Sequence, residues 1–294
     1  MKKYFEVNVN KYDGTKDFVV VRPSPLNQPK DNSVMFIMPE HISKWEMVLK
    51  AKECLVFWPD SHEIPSELSA AHAVVPSDDP RYSFALFFRD NNITYNPKPV
   101  PYEIVNGAYI CEGASIGENC TILPGAYIDS EAVIGNNCYI GSGVRMMGSV
   151  RIGNNCIIRE NTVLGTDGLT TNKDENGKVV TIPQFGGVTI EDDVQIGANT
   201  VICKGAIGDT LIHTGCRIDN CCFISHNVQL GEDTIVVGET IMFGSTSTGK
   251  QAFISGNATI RDRKHIGEKA VIGMGSVVVK DVEDGAVVKG NPAK

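Results

Sequence analysis

No uncharged apolar run in this 294-residue chain reaches the roughly 20 residues needed to cross a bilayer. The opening stretch, MKKYFEVNVNKYDGTKDF, also lacks the continuous apolar segment of a secretory signal. Aromatics are sparse, at 7%, and charged residues make up 21% against 42% hydrophobic, an ordinary soluble globular composition. A surplus of basic residues is missing too: the net charge of −8 argues against a general nucleic-acid binder. Cysteine is not scarce, but its nine copies are odd in number and do not form the framework of a disulfide-stapled secreted domain, so a cytoplasmic setting is expected. Cys120, Cys138 and Cys156 each follow an asparagine at intervals of eighteen residues. They read as a ladder of small, semi-apolar side chains in equivalent packed positions rather than as a soft-metal site.

What is abundant is repetition. Aliphatic side chains recur every six residues from Ile104 through Ile110, Ile116, Ile122, Ile128, Ile134, Ile140, Met146, Ile152 and Ile158 to Leu164. The spacing resumes at Ile190, Ile196 and Ile202, skips four residues, and runs from Ile212 to Val278 with one lapse, at Thr248. A helix needs spacings of three and four, and an ordinary strand a spacing of two over a short run. A period of six with Gly, Asn and Asp between the aliphatics predicts a parallel β-helix of hexapeptide repeats. Three such faces make one coil of eighteen residues, which accounts for the Asn-Cys interval. Coils stack about 4.8 Å apart, the distance of hydrogen-bonded strands.

Residues 165–187, GTDGLTTNKDENGKVVTIPQFGG, are too long and polar for a corner and predict an extruded loop or hairpin with ENG at its tip. Ahead of the repeats, FVVVRP, SVMFIM, CLVFWP and HAVVPS read as strands, and 40–52 and 79–90 as helices. Residues 1–98 are therefore expected to form a small α/β domain and 99–294 the β-helix, with the Pro-rich NPKPVPYE, 96–103, at the boundary.

Within the repeats, RIDNCCFISHNVQL, residues 217–230, places one imidazole, His226, among aliphatics and amides. Histidine is the side chain best suited to take a proton near neutrality. Gly244 lies eighteen residues later, one coil on along the same edge, where its backbone N–H stands free of any side chain and suits a developing oxyanion. A metal site on this scaffold would need three histidines to converge, and His213, His226 and His265 fall on different phases of the hexad.

TVLGTDGL, IPQFGGVTIEDDVQIGANTVI, KGAIGDT and RIDNCCFISHNV, in that order, resemble the core of the UDP-3-O-acylglucosamine N-acyltransferases, a family of hexapeptide-repeat enzymes of lipid A synthesis. The resemblance implies a left-handed coil, a homotrimer with sites between neighbouring solenoids, and a uridine-binding role for the α/β domain. It places the family's base on His226 and its proposed oxyanion donor on Gly244. It also puts the family's acidic residue on Asp219, to hold a sugar hydroxyl or the ammonium group, and a uracil-stacking aromatic on Phe36, with Trp45 as a substitute. Asn227, directly after the base, is expected to orient the sugar or the loop. Three departures shift the expected substrate. Phe223 stands where the family has a polar amide, which suits a less hydroxylated amino sugar. Arg263, in RDRKH, replaces a second histidine, so that Arg261, Arg263 and Lys280, together with Met242, are candidates to hold a donor. IGMGSVVVKDVEDGAVVKGNPAK is similar to the ending of coenzyme-A-dependent sugar acetyltransferases, without the carrier-protein-binding helices of the lipid A enzyme. The reading is therefore an N-acyltransferase that moves a short acyl group from acyl-CoA to a nucleotide-linked amino sugar, with no permanently bound cofactor or metal. The alternatives are the lipid A enzyme itself, using acyl carrier protein, and a non-catalytic binding solenoid.

Overall fold

The computed structural model describes residues 3–94 and 99–294. Residues 96–98 of the expected boundary, like residues 1–2, lie outside the described residues. The chain divides into two compact units, Met1–Asn96 with Leu169–Phe185, and Pro97–Gly168 with Gly186–Lys294. The 165–187 excursion thus gives most of its length to the first unit rather than to the solenoid.

In the first unit, four parallel strands, Arg22–Pro23, Ser33–Phe36, Leu55–Pro59 and Ala73–Ser77, pair in chain order. The helices are Ser66–Ala71, Pro80–Asp90 and a 3-10 stretch, Pro39–Lys50. Asp79 starts the second of these by accepting the Tyr82 N–H, with Pro80 in the first turn, where its missing N–H costs nothing. Its Phe84, Phe87 and Phe88 are fully buried. The excursion is a hairpin of Thr171–Lys173 and Val179–Thr181 that turns at Asp174–Lys178, around ENG. Phe185 anchors its return with ring centroids 5.3 Å from Phe88 and 6.1 Å from Phe5.

The second unit is a left-handed parallel β-helix of three faces. Among the described residues, face 1 has nine parallel strands, including Val201–Cys203, Phe223–Ile224 and Ile241–Met242, with Tyr102–Val105 added antiparallel at its start. Face 2 has eight, including Thr210–Ile212, Gln229–Leu230 and Ser247–Thr248. Face 3 has nine, including Arg217–Ile218 and Ile235–Val236. The hexad aliphatics stack in register down each face, as in Ile202↔Ile224↔Met242↔Ile260↔Val278, and are essentially unexposed. Each contributes on the order of 1.5–3 kcal/mol of burial against a backbone ordering cost of similar size per residue. Ile104 departs from the expected period. It lies in an antiparallel pair with Ala108–Cys111 and is 63% exposed, because no coil precedes it to close a core around it. The lapse at Thr248 is filled by a buried hydroxyl, which accepts the Gly231 N–H at 2.9 Å and lies 2.9 Å from the Thr234 hydroxyl.

The Asn-Cys interval resolves into two ladders. Asn119, Asn137 and Asn155 turn a corner at φ of 56–57°, a left-handed conformation that asparagine tolerates well. Their amides link from coil to coil, 119 to 137 to 155 and on to Asp193, at 3.2–3.3 Å. The following thiols point inward, and Cys120, Cys138 and Cys156 donate to the carbonyls of Gly135, Gly153 and Glu191 on the next coil at 3.0–3.1 Å. Further on, burial pushes the thiols of Cys203 and Cys222 up to about 11 and that of Cys216 up to about 12. Alkylation of the native protein by iodoacetamide at pH 8 is thus expected to reach the exposed Cys221 well ahead of these three, which react after the coils unfold. Peptide mapping reads this directly, and early labelling of Cys216 would contradict a closed core.

Candidate active site

The irregularities of the solenoid gather on the edge where face 1 turns into face 2. The hairpin excursion leaves between Val163–Thr166 and Val188–Ile190, and the four-residue surplus of the next coil falls between Val201–Cys203 and Thr210–Ile212. The corner of the following coil, between Phe223–Ile224 and Gln229–Leu230, carries His226 and Asn227. Gly244 occupies the equivalent corner one coil later, between Ile241–Met242 and Ser247–Thr248. The Ser245 N–H ties the two corners through the His226 carbonyl at 2.9 Å.

The surplus loop orients the imidazole. Asn227 sits at φ 60° with its amide held on both sides: Oδ1 accepts the Ala206 N–H at 2.9 Å, and Nδ2 donates to the Gly208 carbonyl at 2.9 Å. Its backbone N–H donates to the Thr210 hydroxyl, which in turn donates to the Cys203 carbonyl. With Oδ1 fixed as an acceptor, the His226 Nδ1 at 3.1 Å carries the hydrogen and donates to it. The lone pair is then on Nε2, the tautomer a proton acceptor needs. That nitrogen lies over Gly244, where an added Cβ would come within 2.5 Å of both Nε2 and Cε1. The Gly244 carbonyl accepts the Arg263 N–H, and the described residues supply no acceptor for the Gly244 N–H.

A second glycine also approaches this side chain. A Cβ on Gly168 would fall 2.8 Å from His226 Cβ and 3.0 Å from Cδ2. The preceding Asp167 pairs with Lys204 at 2.6 Å, and Lys204, on the coil before His226, is almost wholly buried. Asp167, Gly168 and Lys204 escaped the sequence reading. The four-residue skip at 204–209 was the visible signal, since a surplus in so regular a stack marks a corner built for something other than packing.

The remaining expected residues divide. Arg261, Arg263 and Lys280 are exposed and lie further along the His226 edge, on its later coils. Phe223 projects half-buried from face 1 beside that edge, above Ile241 on the next coil. Met242 is fully buried in the solenoid core, because the hexad's aliphatic position points inward, so its expected role with a donor is withdrawn. Asp219 is not brought to His226 within the chain. It lies on the edge between faces 3 and 1, with Oδ1 accepting from the Asn220 N–H and Nδ2 and Oδ2 from the Gly238 N–H. Phe36 is half-buried in the first unit, 5.0 Å from the buried Phe84 ring, and Trp45 packs against the core on the other face of that sheet. His265 is on face 2, 2.9 Å from the Ser247 hydroxyl, and His213 follows the face-2 strand Thr210–Ile212, 3.0 Å from Glu191.

A left-handed solenoid of hexapeptide repeats is the architecture of the hexapeptide-repeat transferases. Two family models agree: bacterial transferase hexapeptide (six repeats) matches residues 131–166, and hexapeptide repeat of succinyl-transferase matches 105–130 and 187–225. The chain belongs to the UDP-3-O-acylglucosamine N-acyltransferase family. It is 37% identical over 279 residues to the enzyme of that name from Delftia acidovorans, covering 94% of this chain and 81% of that one. It is 49% identical over 185 residues to the enzyme from Helicobacter hepaticus, and 37% over 135 residues to that from Wolinella succinogenes. These matches cover 63% and 46% of this chain, and span 57% and 42% of the two relatives' lengths. Among solved structures, UDP-N-acetylglucosamine acyltransferases from Bacteroides fragilis and Campylobacter jejuni superpose with TM-scores of 0.58 and 0.57. Their identities are 27% and 25%, over 65% of this chain and 73% of theirs. Among the described residues, no helix is long and apolar enough to cross a membrane.

Proposed function

We propose that this chain transfers an acyl group from a thioester to the amine of a UDP-linked, 3-O-acylated glucosamine. The observation that carries the reading is the His226 Nε2 lone pair held against the unsubstituted Gly244 backbone. The amine attacks the thioester carbonyl, forming the C–N bond, while Nε2 takes the amine proton. The Gly244 N–H receives the charge that develops on the carbonyl oxygen. Collapse breaks the C–S bond, and the imidazolium returns the proton to the departing thiolate. The working assembly in this reading is a homotrimer, in which the edge bearing Asp219 of one copy faces the His226 edge of the next. Arg261, Arg263 and Lys280 lie on the donor side, and Phe36 in the nucleotide-binding unit. With nine free cysteines, a reducing cytoplasm is the natural setting.

The expectation of a short acyl group from coenzyme A finds no support in the relatives, whose names fit the lipid A alternative better. The basic residues on the His226 edge nonetheless suit the phosphates of a coenzyme, so both donors belong in the test. Purified protein is offered UDP-3-O-acylglucosamine with long-chain acyl thioesters on acyl carrier protein and on coenzyme A, and with acetyl-CoA. A panel of UDP- and dTDP-linked deoxy amino sugars runs beside it. Mass spectrometry is expected to find the N-acylated UDP-3-O-acylglucosamine with a long-chain donor. Product formed only from acetyl-CoA and a deoxy sugar would overturn the choice.

A further inference from the structure

We propose that Asp167 and Lys204 form a positioning clamp that holds Gly168 against the His226 side chain and so fixes where the ring stands. The two residues lie thirty-seven positions apart in sequence. They meet because the chain leaves the edge at Gly168 and returns at Gly186, so that the next coil brings Lys204 up beside the point of departure. The Lys204 N–H bonds the Thr166 carbonyl at 2.9 Å, and its ammonium reaches the Asp167 carboxylate at 2.6 Å, so backbone and side chain hold the same short segment. A buried lysine is costly unless paired, whereas a surface corner would spend nothing on an exposed one. The segment so held ends in Gly168, whose missing Cβ is what lets backbone lie within contact of the His226 Cβ and Cδ2.

The charged groups on the elements round the imidazole are few. Asp209, in the surplus loop, is committed to the Gly187 N–H and the Thr189 hydroxyl. The Gly244 corner carries none, and Arg261, Asp262 and Arg263 lie two coils beyond His226, Arg261 being 3.7 Å from Asp262. The Asp167–Lys204 pair is the ion pair on the segment that touches the ring.

The clamp rests on the reading of His226 as the base, and the test separates the two. The imidazole 15N resonances of the full chain report where the His226 ring stands whether or not the enzyme turns over, and are assigned by their loss in His226→Ala. Lys204→Met and Asp167→Asn each loosen the 166–168 segment and are expected to move or broaden the His226 resonances. In Lys204→Met kcat should fall on the order of tenfold with KM little changed, and Lys204→Arg should restore both readouts. Asp167 is largely exposed and its replacement isosteric, so that arm stands even if Lys204→Met fails to fold. His226 resonances unmoved in Asp167→Asn, or a Lys204→Arg protein as impaired as Lys204→Met, overturn the clamp. Full activity in His226→Ala overturns the base assignment and leaves the resonances to decide the clamp alone.

Discussion

His226→Ala is expected to lower kcat by about 10²- to 10⁴-fold, the range for loss of a general base, with KM for both substrates close to that of the parent. Among the described residues the side chain makes one hydrogen bond, to Asn227, which keeps its partners in Ala206 and Gly208 when the ring is gone. Because that corner stays tied, the thermal midpoint is expected to move little, separating lost chemistry from lost fold. The measurement is steady-state acyl transfer beside a thermal melt of the same preparation. Near-parental kcat in a folded His226→Ala protein would remove the imidazole from the chemistry.

Gly244→Ala is the second large effect, on the order of 10²-fold in kcat. Gly244 is not in the left-handed region, so alanine meets no backbone strain there. Its methyl, however, would lie 2.5 Å from both Cε1 and Nε2 of His226, far inside contact distance. The ring must swing away, breaking its bond to Asn227, or the corner must open. Either way the proton acceptor and the bare amide part company, and the methyl covers the approach to that amide. Stability is expected to fall only modestly, because the corner lies outside the hexad core. A crystal structure of the variant should show the displaced imidazole, and parental kcat with an unmoved ring would defeat the assignment of Gly244.

The solenoid was readable because its determinants are local and repeated. An aliphatic every sixth residue names the inward position, and asparagine before each ladder cysteine names a left-handed corner. Counting coils of eighteen was then enough to put Gly244 beside His226. Where counting loses its reference the reading slipped: Ile104 kept the period but has no coil behind it, and Met242 was assigned to a donor although its phase points inward. The hairpin at ENG followed from turn chemistry, but its union with the first unit depends on Phe185 reaching Phe5 and Phe88, contacts without a periodic signature.

By itself, then, the sequence determined the repeat, the inward ladders, the edge bearing the imidazole and the amide one coil away, because each follows from spacing along a regular stack. Only the tertiary structure decided the tautomer of His226, the separation of Asp219 on another edge of the same chain, and the meeting of Asp167 with Lys204. Those depend on where a four-residue surplus and a hairpin excursion let distant segments touch. A period says nothing about such contacts, because it is the interruptions of the period that create them.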